Sequence, residues 1–170
     1  LLDRLTPVLR DAYQTVGGPQ GQLSVSYESA WAGAIAAEAP RDGLPFVPLL
    51  REALGARRER DLDQRTTTVG PHRDEPVLRL DGRDLRTQAS QGEQRSAALS
   101  LRLAAYRLLE DRHGRPPILV LDDVFSELDH SRGAGVLELL PRGQVFVTTA
   151  RDDEVPVEGR RWSVGEGSVE

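Results

Sequence analysis

The 170 residues contain no cysteine and no methionine, and all 22 basic residues are arginine. Without cysteine there are no disulfides and no thiolate metal ligands, and thiol usage says nothing about compartment. Without lysine these residues hold no P-loop, whose lysine reaches the β- and γ-phosphates of a nucleotide. Aromatic residues make up only 5%, so a core must be built from Leu, Val and Ala. No apolar run approaches the roughly 20 residues of a membrane span and no signal peptide stands at the start, so a soluble, cytoplasmic protein is expected. The chain opens Leu1-Leu2-Asp3 with no initiator residue and reads as a processed or truncated piece of a longer protein.

What is present is ordinary for a globular domain: 38% hydrophobic and 29% charged residues, at a length that can bury a real core. With 27 acidic against 22 basic residues the net charge is −5, which argues against a generic nucleic-acid-coating surface. Any DNA contact is therefore confined to a local patch.

Along the chain, Leu2, Leu5, Leu9, Ala12 and Tyr13 recur at helical spacing, which predicts a helix over 1–16 stopped by Gly17-Gly18-Pro19. Leu23, Val25 and Tyr27 alternate with polar residues as a strand does. Ala30–Ala39 is helix-compatible, Pro40–Pro48 reads as a connector, and a helix follows over about 48–62. The mixed charges of that helix fit a solvated face laced with weak ion pairs better than a DNA-contacting stripe. Strands are predicted at Thr66–Val69 and Val77–Leu80, with Asp81-Gly82 as a hairpin turn.

The second half changes character. A long helix over 93–112 carries Ala97, Ala98, Leu101, Ala104, Ala105, Leu108 and Leu109 on a broad apolar face and is expected to be largely buried. Ile118–Leu121 is a continuous apolar run of the kind found in central parallel strands. A helix over about 130–140 and a strand at Gln144–Thr149 complete a helix-strand-helix-strand order, which predicts an α/β layer. Trp162–Val164 and Gly167–Val169 are expected to close a terminal hairpin.

Two places carry chemistry. Asp122-Asp123 ends the apolar strand, and the carboxyl ends of strands are where open α/β sheets place ligands. Two adjacent carboxylates there suit a Mg²⁺ ligand beside a water-orienting base, although a polar strand end is the plain alternative. Ser90-Gln91-Gly92-Glu93-Gln94-Arg95 opens the long helix, where small residues and unpaired amides favour an anion. Ser90 with Glu93 three residues on also spells a capping box, and both readings can hold together. His72, His113 and His130 are scattered without metal-site spacing. His72-Arg73 is open to nucleotide, DNA or Asp74, and Arg95, Arg102, Arg107 and Arg112 are open to acids or phosphate.

Taken in order, Gly70-Pro71-His72-Arg73-Asp74, Ala89 to Arg95, and Leu121-Asp122-Asp123-Val124-Phe125-Ser126-Glu127-Leu128-Asp129 resemble the C-terminal half of an ABC-type ATPase head. More narrowly they resemble the RecF family, which is related to the SMC heads. The specific match covers about residues 66–150, while the first 65 resemble the family only in their order of elements. The resemblance implies an α/β fold with a helical and small-sheet lobe over 1–114, followed by the Walker B part of the central sheet over 115–170.

It further implies ATP and Mg²⁺ as cofactors. Ser90, Gln91, Gly92, Glu93 and Gln94 would be the signature motif that reaches the γ-phosphate of ATP held by a partner subunit. Asp122 would be the Walker B Mg²⁺ ligand. Asp123 would occupy the place of the catalytic Glu of other ABC ATPases, one methylene shorter, which fits slow turnover. Ser126 to Asp129 would form the D-loop at a dimer seam, and Thr148-Thr149 would stand where many ABC proteins carry a switch His. The implied protein is an ATP-dependent homodimer on DNA at single-strand/double-strand junctions, acting in recombinational repair and fork maintenance with RecR and RecO. This chain alone, lacking the P-loop, would be inactive. The rivals are another SMC-like repair ATPase head, and a non-enzymatic dimerisation or adaptor domain, against which the intact carboxylate pair speaks.

Overall fold

The structure is a computed structural model that describes residues 1–29, 31, 46–151, 155, 159–165 and 167–169. Helix α1, Leu2–Val16, turns Leu9, Ala12, Tyr13 and Val16 into the core. Strand β1, Leu23–Glu28, follows, and then α2, Phe46–Gln64. Apart from Trp31, the helix-compatible stretch 30–39 and the connector 40–45 lie outside the described residues. Helix α2 begins at Phe46, two residues inside the expected connector, and its face is solvated as expected. The weak pairs expected on it do not form: among the described residues no arginine of α2 makes an ion pair.

The expected strand at Thr66–Val69 is absent, and the reason is local. The Asp61 carboxylate accepts from the Thr68 amide at 3.1 Å and from its hydroxyl at 2.6 Å, while the Thr67 carbonyl accepts from His72 Nε2 at 3.1 Å and from Arg73 Nε at 3.2 Å. These β-branched residues satisfy their backbone in a loop rather than in a ladder.

Strand β2, Glu75–Leu80, pairs antiparallel with β1, Leu23 opposite Leu80. The Asp81-Gly82 turn leads into the short β3, Arg83–Asp84. Both turn residues have positive φ, 51° and 78°, the geometry that matches strand twist in a two-residue hairpin. The single-turn helix α3, Leu85–Gln88, is capped by Asp84, whose carboxylate accepts from the Thr87 amide at 2.9 Å.

Helix α4, Gln91–His113, is the spine of the molecule. Ser90 caps it at one end, and Gly114, left-handed at φ 66°, ends it. Its buried line runs through Ser96, Ala97, Ser100, Leu103, Ala104 and Tyr106. This corrects the expected broad face, since Ala98 and Leu109 are exposed and two serines stand in the buried line. The Ser100 hydroxyl is accommodated by donating to the Ser96 carbonyl at 2.7 Å.

Strand β4, Leu119–Asp122, and β5, Val145–Thr148, pair in parallel across the helix α5, His130–Leu139. The sheet differs from the fully covered strand that the apolar run predicts. Leu119 and Leu121 are buried, but Ile118 and Val120 are 62% and 61% exposed, so one face of the pair is bare. A terminal hairpin, β6 at Val164–Gly165 and β7 at Ser168–Val169, forms with shorter strands than expected.

Two apolar clusters meet on α4. Leu9, Tyr13, Leu23, Leu80, Leu85, Ala97 and Ala104 join it to α1, the antiparallel sheet and α3. Val16, Leu103, Tyr106, Leu119, Leu121, Phe125 and Val136 join it to the parallel pair and α5. Helices α1 and α5 approach so closely that a Cβ on Gly135 would stand 2.2 Å from the Thr15 carbonyl oxygen. Among the described residues no helix is long and apolar enough to cross a membrane.

Candidate nucleotide-facing site

The parallel register puts Asp122 directly opposite Thr148 at the carboxyl ends of β4 and β5. The Thr148 hydroxyl donates to the Asp122 carboxylate, and the Asp123 amide donates to the Thr148 carbonyl at 3.0 Å. Asp122 and Asp123 are both exposed, so their carboxylates are open to solvent.

Asp123 leaves the strand with φ 51°, in the left-handed region. Short polar side chains such as Asp and Asn tolerate that region, and longer ones do so less readily. The short Asp side chain suits this turn. Ser126 holds the turn from the other side, its hydroxyl donating to the Asp123 carbonyl at 2.9 Å. Thr149 turns away to Arg151, its hydroxyl donating to the Arg151 carbonyl at 3.1 Å.

A second group gathers at the start of α4. The capping box is formed in full: the Glu93 carboxylate accepts from the Ser90 amide at 2.7 Å, and the Ser90 hydroxyl accepts from the Glu93 amide at 3.3 Å. This leaves the amides of Gln91 and Gly92 without an acceptor among the described residues. Gln94 is a brace, since its Nε2 donates to the carbonyls of Arg86 at 3.3 Å and Ala89 at 3.1 Å. Asp129, two residues beyond the short 3-10 turn Phe125–Glu127, caps α5 through the Arg132 amide at 2.9 Å and pairs with the Arg132 guanidinium at 2.8 Å. Arg132 in turn lies against Gly92.

Thus Asp122, Asp123, Ser126 and Thr148 are brought together, and Ser90, Gly92, Glu93 and Asp129 gather separately around Arg132. The sequence reading missed Arg132. Its only local signal is the three-residue spacing from Asp129, which is common on helices.

Hydrogen bonds from Ser90, with Arg83 and Arg132 adding attraction, hold the Glu93 carboxyl below the usual range. A group whose folded pKa is depressed stabilises the fold above its ordinary pKa and loses that contribution as pH falls through the folded value. Glu93→Gln keeps a capping side chain but removes the titration. Its unfolding midpoint is expected below that of the parent at neutral pH, with the gap closing below pH about 4. Thermal melts across pH measure this, and a gap that stays constant would refute it.

Among the described residues the side chains of His72 and Arg73 do not pair with the Asp74 carboxylate: both bind the Thr67 carbonyl, and Arg73 Nη2 also donates to the Thr66 hydroxyl at 3.2 Å. Asp74 instead accepts from Trp31 Nε1 at 3.2 Å and from the Tyr27 phenol, and the bond between Tyr27 and Asp74 pushes the phenol up to about 12. Among the described residues no group of three metal-ligating side chains is found.

No protein-family model matches the chain. Curated relatives do. The DNA replication and repair protein RecF of Frankia alni is 39% identical over 172 residues, covering 99% of this chain and 45% of the relative. That of Streptomyces avermitilis is 41% identical over 174 residues, covering 100% and 45%. The chain therefore spans about half the length of the relatives it matches. Two solved structures of the recombination mediator protein RecF in the RecFOR pathway superpose on it. One, with ATPrS, gives a TM-score of 0.74 at 28% identity over 99% of this chain and 44% of that one. The other, with ATP, gives 0.72 at 32% identity over 99% and 43%. In sequence and in fold the chain belongs to the RecF family, and it corresponds to the C-terminal portion of an ABC-type ATPase head.

Proposed function

We propose that the chain supplies the signature motif and the Walker B carboxylates of an ATPase that acts in DNA replication and repair. The reading divides the chain near residue 114 into a lobe that presents Ser90 and a core that presents Asp122. The observation that carries it is the parallel register that sets Asp122 opposite Thr148, with Asp123 held in a left-handed turn beside them.

In this reading the Asp122 carboxylate, with the Thr148 hydroxyl beside it, would hold Mg²⁺. Hard oxygen donors, few in number, fit an ion that keeps several waters and shares phosphate oxygens. When bound, Mg²⁺ neutralises phosphate charge. Asp123 orients the attacking water, with Thr149 and Ser126 shaping the rim. The free amides of Gln91 and Gly92 and the Ser90 hydroxyl meet the γ-phosphate of ATP held by a second subunit, while Glu93 and Gln94 brace the helix start. Ser126 to Asp129 lie at the seam of the homodimer.

DNA is the partner of that dimer, and RecR with RecO the wider assembly that loads recombinase. A local basic patch supports DNA contact despite the net negative charge. Arg51, Arg58 and Arg65 recur at seven-residue intervals and line one open cleft on and just beyond α2. None of them has an acidic partner among the described residues. Unpaired arginines on one side of a helix suit phosphate contacts.

Ser90→Arg in the full-length protein tests the composite site. A bulky cation there blocks the partner's γ-phosphate, whereas loss of a cap alone costs about 1 kcal/mol of stability. ATP binding to each monomer is expected to survive, and ATP-dependent dimerisation and the DNA binding coupled to it to be lost together. Sedimentation with a non-hydrolysable ATP analogue reads this. A variant that folds and still dimerises would reduce the motif to a helix cap.

A further inference from the structure

The start of α4 and the start of α5 are tied by one side chain. A Cβ built on Gly92 would lie 3.0, 3.2 and 3.3 Å from Nη1, Nη2 and Cζ of Arg132, so the guanidinium rests on the bare backbone of that residue. The same guanidinium is tethered at 2.8 Å to the Asp129 carboxylate, and Asp129 also caps α5 through the Arg132 amide. The Arg132 side chain is only 31% exposed, and it lines one cleft with Ser90, Glu93 and Tyr13. A planar, delocalised cation fits such a seat, spanning a flat backbone surface and a carboxylate at once, in a way an ammonium does not. Gly92 is the residue that makes room for it.

We propose that Arg132 is a positioning residue: it locks the Gly92 end of α4 to the Asp129 end of the preceding loop, so that these two segments meet a second subunit at a fixed spacing. The proposal rests on the composite-site reading above, in which both segments face the subunit seam. Arg132 itself need not touch nucleotide. It acts by removing the freedom of the two segments to move apart, so that less ordering remains to be done when the subunits close.

The test uses the full-length protein and a non-hydrolysable ATP analogue. Arg132→Ala is expected to weaken analogue-driven dimerisation about tenfold, with the affinity of each monomer for the analogue unchanged. A purely structural role would lower the unfolding midpoint without that split. Arg132→Lys keeps the pairing with Asp129 but not the planar seat, and is expected to recover only part of the loss. Gly92→Ala adds a methyl within 3.3 Å of the guanidinium, so it should weaken dimerisation in the parent and add little in the Arg132→Ala background. If the parent dimerises but Arg132→Ala matches it, or if the Gly92→Ala and Arg132→Ala losses simply add, the positioning role is overturned and the composite site stands. If the parent itself fails to dimerise with the analogue, both are overturned.

Discussion

Asp123→Asn in the full-length protein is expected to slow ATP hydrolysis by about 100- to 10,000-fold, the span that a positioned general base contributes. Asparagine has the same reach and tolerates the left-handed backbone that Asp123 adopts at φ 51°, so the turn, and its bond from the Asp123 amide to Thr148, should persist. Only the charge to which the proposed reading gives the attacking water is removed. ATP-bound dimers should therefore accumulate rather than disappear. Single-turnover phosphate release alongside sedimentation separates the two effects. Turnover equal to that of the parent would move the base to another residue, and loss of dimers together with turnover would mean that Asp123 shapes the seam instead.

Gly135→Ala is expected to destabilise the protein by about 3 kcal/mol, at the upper end of overpacking costs. The clash is with backbone: a Cβ would meet the Thr15 carbonyl oxygen at 2.2 Å and the Val16 Cα at 3.1 Å, and neither can rotate away. Gly133, two residues earlier on α5, provides the contrast. A Cβ there would meet only Phe125 Cδ1, at an ordinary 3.8 Å. Gly133→Ala should be neutral or stabilise by up to about 1 kcal/mol, because alanine forms helix better than glycine. The two substitutions thus differ in sign while sharing chemistry and helix. Thermal unfolding of both variants decides the matter, and a Gly135→Ala variant that melts with the parent would mean that α1 and α5 do not cross as closely as described.

Elements whose limits depend on neighbouring residues were legible in the sequence. Ser90 with Glu93 and Asp81-Gly82 act through bonds and dihedrals within a few positions, and each stands where the sequence predicts it. The departures arise where side chains a turn or two away take up polar groups that the pattern alone leaves open. Thr66–Val69 has the composition of a strand, but Asp61 and the His72-Arg73 turn take its polar groups. The buried line of α4 departs from the apolar pattern because the Ser100 hydroxyl is satisfied by the carbonyl one turn back, while the Ser96 hydroxyl is buried without a partner among the described residues. Of the site, the two acidic positions and the helix start were readable because strand ends and caps have local signatures. The seat of Arg132 on Gly92 was not, because no periodicity joins residues on two different helices.

The bare side of the parallel pair carries a further consequence. Along it, Val120 stands opposite Phe146 and then Asp122 opposite Thr148, an apolar step followed immediately by a polar one on the same exposed surface. Parallel strands are normally covered on both sides, and here the greasy step and the acid share one roofline. A surface that sheltered Val120 and Phe146 would lie directly beside Asp122. In the proposed reading, covering the apolar step and drying the neighbouring carboxylate would then be coupled.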